Sequence, residues 1–182
     1  GVIRNNDLQF PIILKPDIGC VGKGISKVSD EKALETIVPK LEGNTIVQAY
    51  CPFDLEYGVF YVRVNGEPRI TGINRKHFPT IAGNGSDSIA ALATSRPRYS
   101  HHWDIFLRYH DLNRVLKAGE KLKLSFIGSH TMGCMFTDDT HLVNPQLAQR
   151  IFAIFDDQPG FNFGRLDVKT QNEAAFCAGE FV

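Results

Sequence analysis

The sequence predicts an α+β fold, and three observations predict it. Two runs, 56–64 and 67–75, flank Asn65-Gly66, a dipeptide suited to a two-residue type I′ turn, so they read as a β-hairpin. Asn144-Pro145 caps and opens a stretch in which Leu147, Ala148, Ile151, Phe152 and Phe155 recur at helical spacing, and a strand-like run over 161–169 follows it. Strands and helices do not alternate as a regular βαβ series, and no internal repeat, low-complexity run or linker interrupts the 182 residues.

Taken in order, residues 10–15 read as a short buried strand stopped at Pro16, and 25–28 as its return strand. Ser29 is the expected N-cap of a helix with Asp30 and Glu31 in its first turn. Ala33, Leu34, Ile37 and Val38 give that helix one apolar face, and Pro39 and Gly43 end it. Residues 45–48 form another short strand. In the hairpin, a two-residue loop sets Glu56 opposite Arg75 and Phe60 opposite Thr71. Residues 83–85 are a loop and 88–93 a helical turn. Residues 101–116 read as a helix with Trp103, Phe106, Leu107 and Tyr109 as its bulk, and 121–127 alternate as a strand should. Residues 161–169 read as a central strand, 171–178 as a short helix, and 180–182 as the start of a last strand.

Composition removes several functional classes. Lys plus Arg equals Asp plus Glu, 20 of each, so no global basic field exists for nucleic acid. No run of 18 apolar residues occurs, which excludes a membrane-spanning helix. Cys20, Cys51, Cys134 and Cys177 are far apart and form no C-x-x-C pair. They read as small buried or half-buried groups in a reducing, cytoplasmic setting. His101, His102 and His110 read as surface residues, His130 as a loop residue that could adjoin a substrate, and Asp138-Asp139 as a turn.

The chemistry-bearing segment is Pro11–Ser26, "PIILKPDIGCVGKGIS". Its Gly19, Gly22 and Gly24 have the spacing G-x-x-G-x-G, which fits neither the G-x-G-x-x-G dinucleotide fingerprint nor the Walker A pattern. A glycine-rich turn between two strands can still aim backbone N–H groups at a phosphate, and Lys15 adds a point charge beside it. A plain glycine turn beside a solvated lysine is the simpler alternative.

The rest of the chain adds a resemblance. "FPIILKPDIGCVGKG" resembles the nucleotide loop of ATP-grasp enzymes. "NTIVQAYCPFDLEYGVFY" is similar to their adenine-holding hinge followed by a ribose-binding acid. "GRLDVKT" resembles their R-x-D metal strand. "NRKHFPTIAGNGSDSIAAL" and "AGEKLKLSFIGSHTMGCMFTD" resemble consecutive stretches of the cyanophycin-synthetase and glutathione-synthetase-like branch. The resemblance covers nearly the whole chain in the family's order.

What it implies is an ATP-grasp fold in which two α+β subdomains grip ATP. Residues 1–51 would be the smaller subdomain with the glycine loop, and 52–182 the larger, lacking the final E-x-N metal strand. It also implies that an N-terminal domain of a parent protein is missing. The parent would use ATP and Mg²⁺ to activate a carboxylate as an acyl phosphate, which an amine or another nucleophile then attacks. The alternative is a non-catalytic nucleotide-binding or regulatory module. By the resemblance, Lys15, Gly19, Gly22 and Gly24 hold phosphates, Gln48 and Tyr50 hold adenine, and Glu56 holds ribose. Many relatives have an acid at the Gln48 position; a glutamine also hydrogen-bonds adenine. Arg165 and Lys76 serve phosphate or acyl-phosphate transfer, and Asp167 ligates Mg²⁺. Arg75 and Lys76 are strand neighbours, so at most one of them faces the site. Simpler alternatives are an ion pair between Glu56 and Arg75, and another between Arg165 and Asp167.

Overall fold

The computed structural model describes residues 2–19, 24–102, 106–107 and 109–182. It is a mixed helix–sheet structure with antiparallel sheets, in two compact units, Gly1–Pro52 and Phe53–Val182. Among the described residues no helix is long and apolar enough to cross a membrane.

The first unit opens with a helical turn, α1 (Val2–Asn5). Its sheet has β1 (Ile12–Pro16) at the centre, antiparallel to β2 (Ser26–Val28) on one side and β3 (Thr45–Ala49) on the other. Alternation along β1 buries Ile12 and Leu14, which meet Val28 from β2. Ala33, Leu34 and Ile37 of α2 (Glu31–Ile37) cover that face. Asp30 caps α2, one residue later than the sequence suggests. Its carboxylate accepts from the Ala33 N–H at 2.8 Å and from the Ser29 hydroxyl at 3.0 Å. Chiefly the Ala33 bond holds its pKa below the ordinary carboxylate value. A 3₁₀ turn, Val38–Lys40, with Pro39 inside it, ends the helix.

The second unit is built on a four-stranded antiparallel sheet. Its order is β8 (Met135–Asp138), β5 (Glu67–His77), β4 (Leu55–Val64), β9 (Phe163–Thr170). The turn is as expected: Asn65 and Gly66 both have positive φ, 53° and 84°, and Val64 pairs with Glu67. The register expected for the far end of the hairpin is wrong by one. A bulge falls between Phe60 and Tyr61, so Tyr61 pairs with Ile70 but Phe60 pairs with Gly72. Thr71 is the extra residue. Lys76, not Arg75, therefore stands across from Glu56, and Arg75 stands across from Tyr57. β9 is flanked by β4 on one side. On the other, Lys169 and Val182 exchange both backbone hydrogen bonds, at 2.8 and 3.0 Å.

Alternation gives the sheet two unlike faces. Tyr57, Val59, Tyr61, Ile73 and Val168 point to one side. There they are covered by Leu147, Ile151 and Phe155 of α5 (Pro145–Phe155) and by Phe176 of α6 (Glu173–Cys177). The Asn144 side chain caps α5 by accepting from the Gln146 and Leu147 N–H groups at 3.0 Å, as expected of Asn-Pro. Glu56, Gly58, Phe60, Asn74, Lys76, Arg165, Asp167 and Lys169 lie at alternate positions on the other face.

A smaller cluster completes the unit. A two-stranded pair, β6 (Thr80–Ala82) with β7 (Lys121–Lys123), sits with α3 (Ile89–Thr94) over Ile81, Ile89, Phe106, Leu112, Leu116 and Leu124. The α4 turn (Pro97–Ser100) starts before the helix expected over 101–116, and Trp103 lies outside the described residues. That helix does not reach its expected end. The Leu112 and Arg114 carbonyls accept from the free first-turn N–H groups of Ala90 and Ile89, at 2.9 Å each, which commits residues 111–116 to a loop. Strand β7 also stops early. The Ser125 hydroxyl accepts from the Ile127 N–H at 3.2 Å, a local turn that competes with the ladder. His110 is half-buried rather than a surface residue, with Nε2 at 3.1 Å from the Leu124 carbonyl.

Candidate functional site

In the first unit, the sheet face away from α2 carries the nucleotide candidates. Lys15 pairs in register with Ile46 and Gln48 with Ile13, so alternation puts Lys15 and Gln48 on one face. The Lys15 ammonium donates to Gln48 Oε1 at 2.8 Å. Lys27, paired with Ile13 from the other side, joins that face, and its Nζ stands 3.6 Å from the centre of the Tyr50 ring. Lys15, Gln48 and Tyr50 thus lie on one face together with Lys27. Gly24 has φ 76°, and a Cβ there would come within 2.7 Å of Pro16 Cγ, so it is a glycine position on two counts. Gly19 is exposed; Gly22 and Cys20 lie outside the described residues.

The second unit holds a denser arrangement on the face of its four-stranded sheet opposite α5 and α6. The Lys76 side chain is 1% exposed and its ammonium reaches two carboxylates, Glu56 Oε1 at 2.5 Å and Asp167 Oδ2 at 3.0 Å. Glu56 Oε2 lies 3.5 Å from Lys169 Nζ. Arg165 grips Asp167 with two nitrogens, Nε to Oδ1 at 2.9 Å and Nη2 to Oδ2 at 3.1 Å. The charges run Lys169, Glu56, Lys76, Asp167, Arg165, with the sign alternating at every step. Burying Lys76 unpaired would be prohibitive, and its two carboxylates remove that cost.

Two glycines make room for this network. A Cβ at Gly58 would collide with Asn74 Oδ1, which accepts from the Gly58 N–H at 3.1 Å. A Cβ at Gly128 would lie 2.5 Å from Glu56 Oε1 and 2.8 Å from Lys76 Cδ. The loop around Gly128 therefore presses directly on the ion pair. Its far side is tied down by Arg98, whose Nη2 donates to the Cys134 carbonyl at 2.5 Å and stands 3.5 Å from His130 Nδ1. Cys134 is fully buried, and burial pushes its thiol up to about 11. A thiol held protonated this firmly is no nucleophile. Cys51, Cys134 and Cys177 are all free.

The structure thus groups Glu56, Lys76, Arg165 and Asp167 and separates Arg75 from them. Arg75 points to the opposite face, toward Asp139 at 4.0 Å and Glu173 at 3.6 Å. The cross-strand pair suggested between Glu56 and Arg75 is not formed, because the bulge moved the register. Sequence reasoning missed Lys27, Lys169, Asn74 and Arg98. Lys169 was within reach: it lies two residues beyond Asp167 on one strand, hence on its face.

Among the described residues no group of three or more His, Cys, Asp or Glu could hold a metal. Magnesium accepts a single protein carboxylate when phosphate oxygens complete its shell; here that carboxylate is half-exposed Asp167, while Glu56 is buried with both oxygens against lysines. The residues fit a magnesium brought with a phosphate ligand and do not make a protein-only cage.

The chain matches no protein-family model. No curated protein matches it. Among solved structures it is similar to a bifunctional glutathione synthetase from Pasteurella multocida, at 15% sequence identity and a TM-score of 0.41, over 89% of this chain and 24% of that one. The chain therefore spans about a quarter of that protein's length.

Proposed function

We propose that this chain is part of an ATP-dependent ligase of the ATP-grasp kind, which activates a carboxylate for attack by an amine or another nucleophile. The observation that carries this reading is the alternating network on that sheet face. It gathers Glu56, Lys76, Arg165 and Asp167, four residues that the sequence resemblance singles out from segments far apart in the chain.

In this reading a substrate carboxylate oxygen attacks the terminal phosphorus of ATP and ADP leaves. The nucleophile then attacks the acyl carbon and phosphate leaves. Neither step needs a covalent protein nucleophile; both need positioning and charge neutralisation. Arg165 and Lys76 would face the charge that spreads over the transferring phosphoryl oxygens. Lys15, Lys27 and the glycine loop would hold phosphates, and Gln48 and Tyr50 the base. Both Glu56 oxygens already lie against lysines, so ribose hydroxyls would share them. Magnesium at Asp167 would supply further neutralisation of the phosphate oxygens. The acid and the amine would be small molecules, and Arg98, whose Nη2 stands 3.5 Å from His130 Nδ1, would offer the acid a cation.

The test is ADP release from Mg-ATP across a panel of carboxylates, with hydroxylamine as trap. ADP should form only with a matching acid, and a hydroxamate should accumulate. Arg165→Ala should slow turnover by about 10²–10³-fold. A second reading, a module that binds nucleotide without turnover, is favoured by one observation: both Asp167 oxygens are already engaged by cations. It predicts nucleotide binding with no hydroxamate for any acid.

A further inference from the structure

Asp167 makes an unusual pair of contacts for a half-exposed residue. Its two oxygens accept side-on from Arg165, through Nε at 2.9 Å and Nη2 at 3.1 Å, and Oδ2 also meets Lys76 Nζ at 3.0 Å. This is how an arginine–lysine pair holds an incoming oxyanion such as a phosphoryl or carboxylate group. Here the oxyanion is the protein's own. The other carboxylate of the network, Glu56, has a side chain only 10% exposed, whereas that of Asp167 is 42% exposed. Asp167 is thus the member that solvent ions reach. The network has three cations, Lys76, Lys169 and Arg165, against two carboxylates, Glu56 and Asp167. Removing the Asp167 charge raises its excess from one positive charge to two.

We propose that Asp167 is an internal competitor for the oxyanion site at half-exposed Arg165, with buried Lys76 behind it, and that a divalent cation would relieve the competition by taking the carboxylate. Phosphate binding at this face is then conditional on metal. With Asp167 turned to a metal, Arg165 would lose its carboxylate and lie open to the ligand, while Lys76 would keep Glu56 at 2.5 Å. A polyphosphate arriving alone must displace a carboxylate already held by three contacts. The consequence runs against the simple picture of a metal ligand: replacing Asp167 should strengthen metal-free anion binding. This inference rests on the ligase reading only for the nucleotide. Its core concerns any polyphosphate.

The experiment is calorimetry of the chain with inorganic tripolyphosphate and with a non-hydrolysable ATP analogue, each in chelator and in magnesium. Wild type, Asp167→Asn and Asp167→Ser are compared, with circular dichroism confirming that each is folded. For wild type, magnesium should tighten tripolyphosphate binding by about 5- to 150-fold, the usual range for coupled sites. For Asp167→Asn, metal-free affinity should rise above wild type by a similar factor, and magnesium should then add little. If both variants bind metal-free tripolyphosphate no tighter than wild type, the competitor role is overturned. If wild type binds Mg-tripolyphosphate but not the nucleotide analogue, the ligase reading fails while the competitor role stands. If no form binds either anion under any condition, both fail.

Discussion

The two units set their lysines in opposite surroundings. In the first, the observed partners of Lys15 and Lys27 are neutral, the Gln48 amide oxygen and the Tyr50 ring. In the second, Lys76, Lys169 and Arg165 all hold carboxylates. A neutral partner orients an ammonium without cancelling its charge, so the first face keeps its positive charge. A carboxylate partner permits burial of the cation but spends its charge inside the protein. The first arrangement costs little stability and offers charge at once. The second supports the fold and keeps its cations paired.

That contrast predicts unequal costs for changes that look alike. Lys76→Met leaves Glu56 buried with its strong partner gone and should destabilise the chain by about 3–5 kcal/mol, read from the denaturation midpoint. Equal stability for wild type and this variant would break the distinction. At alkaline pH the second unit should lose stability in a way that Cys134 controls. Its native thiol is pushed up to about 11 from an ordinary 9.0. The native state therefore keeps a proton that the unfolded chain gives up. This contribution is intact below pH 9 and declines as pH rises toward 11, by about 2–3 kcal/mol. Cys134→Ala should flatten that interval relative to wild type. In native protein Cys134 should also react with a thiol reagent far more slowly than half-buried Cys51.

Gly128→Ala forces a methyl group against the Glu56 carboxylate and the Lys76 stem. It should cost about 1–3 kcal/mol and weaken anion binding at the second unit while leaving the first intact. The smallest stability effects belong to Lys15→Ala and Lys27→Ala, each within about 0.5 kcal/mol. Both should nevertheless lower phosphate affinity, and the affinity they support should fall steeply with added salt because those charges are exposed.

Much of this was legible from residue patterns. The Asn65-Gly66 turn, the Asn144-Pro145 cap and the α5 core stripe follow from local backbone chemistry and helical period, which tertiary contacts did not override. The bulge was not read, although a cue was present. Ile70 and Ile73 both face the core, three positions apart on a strand whose faces alternate every two, and Gly72 sits between them. That missed residue decided whether Arg75 or Lys76 joined Glu56. The helix expected over 101–116 stops short for a reason outside the segment, since the start of α3 claims the Leu112 and Arg114 carbonyls. Lys27 was missed because its position becomes meaningful only once β2 is paired against β1.

The most direct test of the nucleotide reading is thermal unfolding with and without Mg-ADP, for wild type and Lys15→Ala. Ligand at about 100 times its Kd should stabilise wild type by roughly 2.7 kcal/mol, raising Tm, and the lysine variant, of ordinary Tm by itself, should lose most of that rise. An unchanged Tm for wild type at saturating Mg-ADP, or an equal rise in both proteins, would contradict the account.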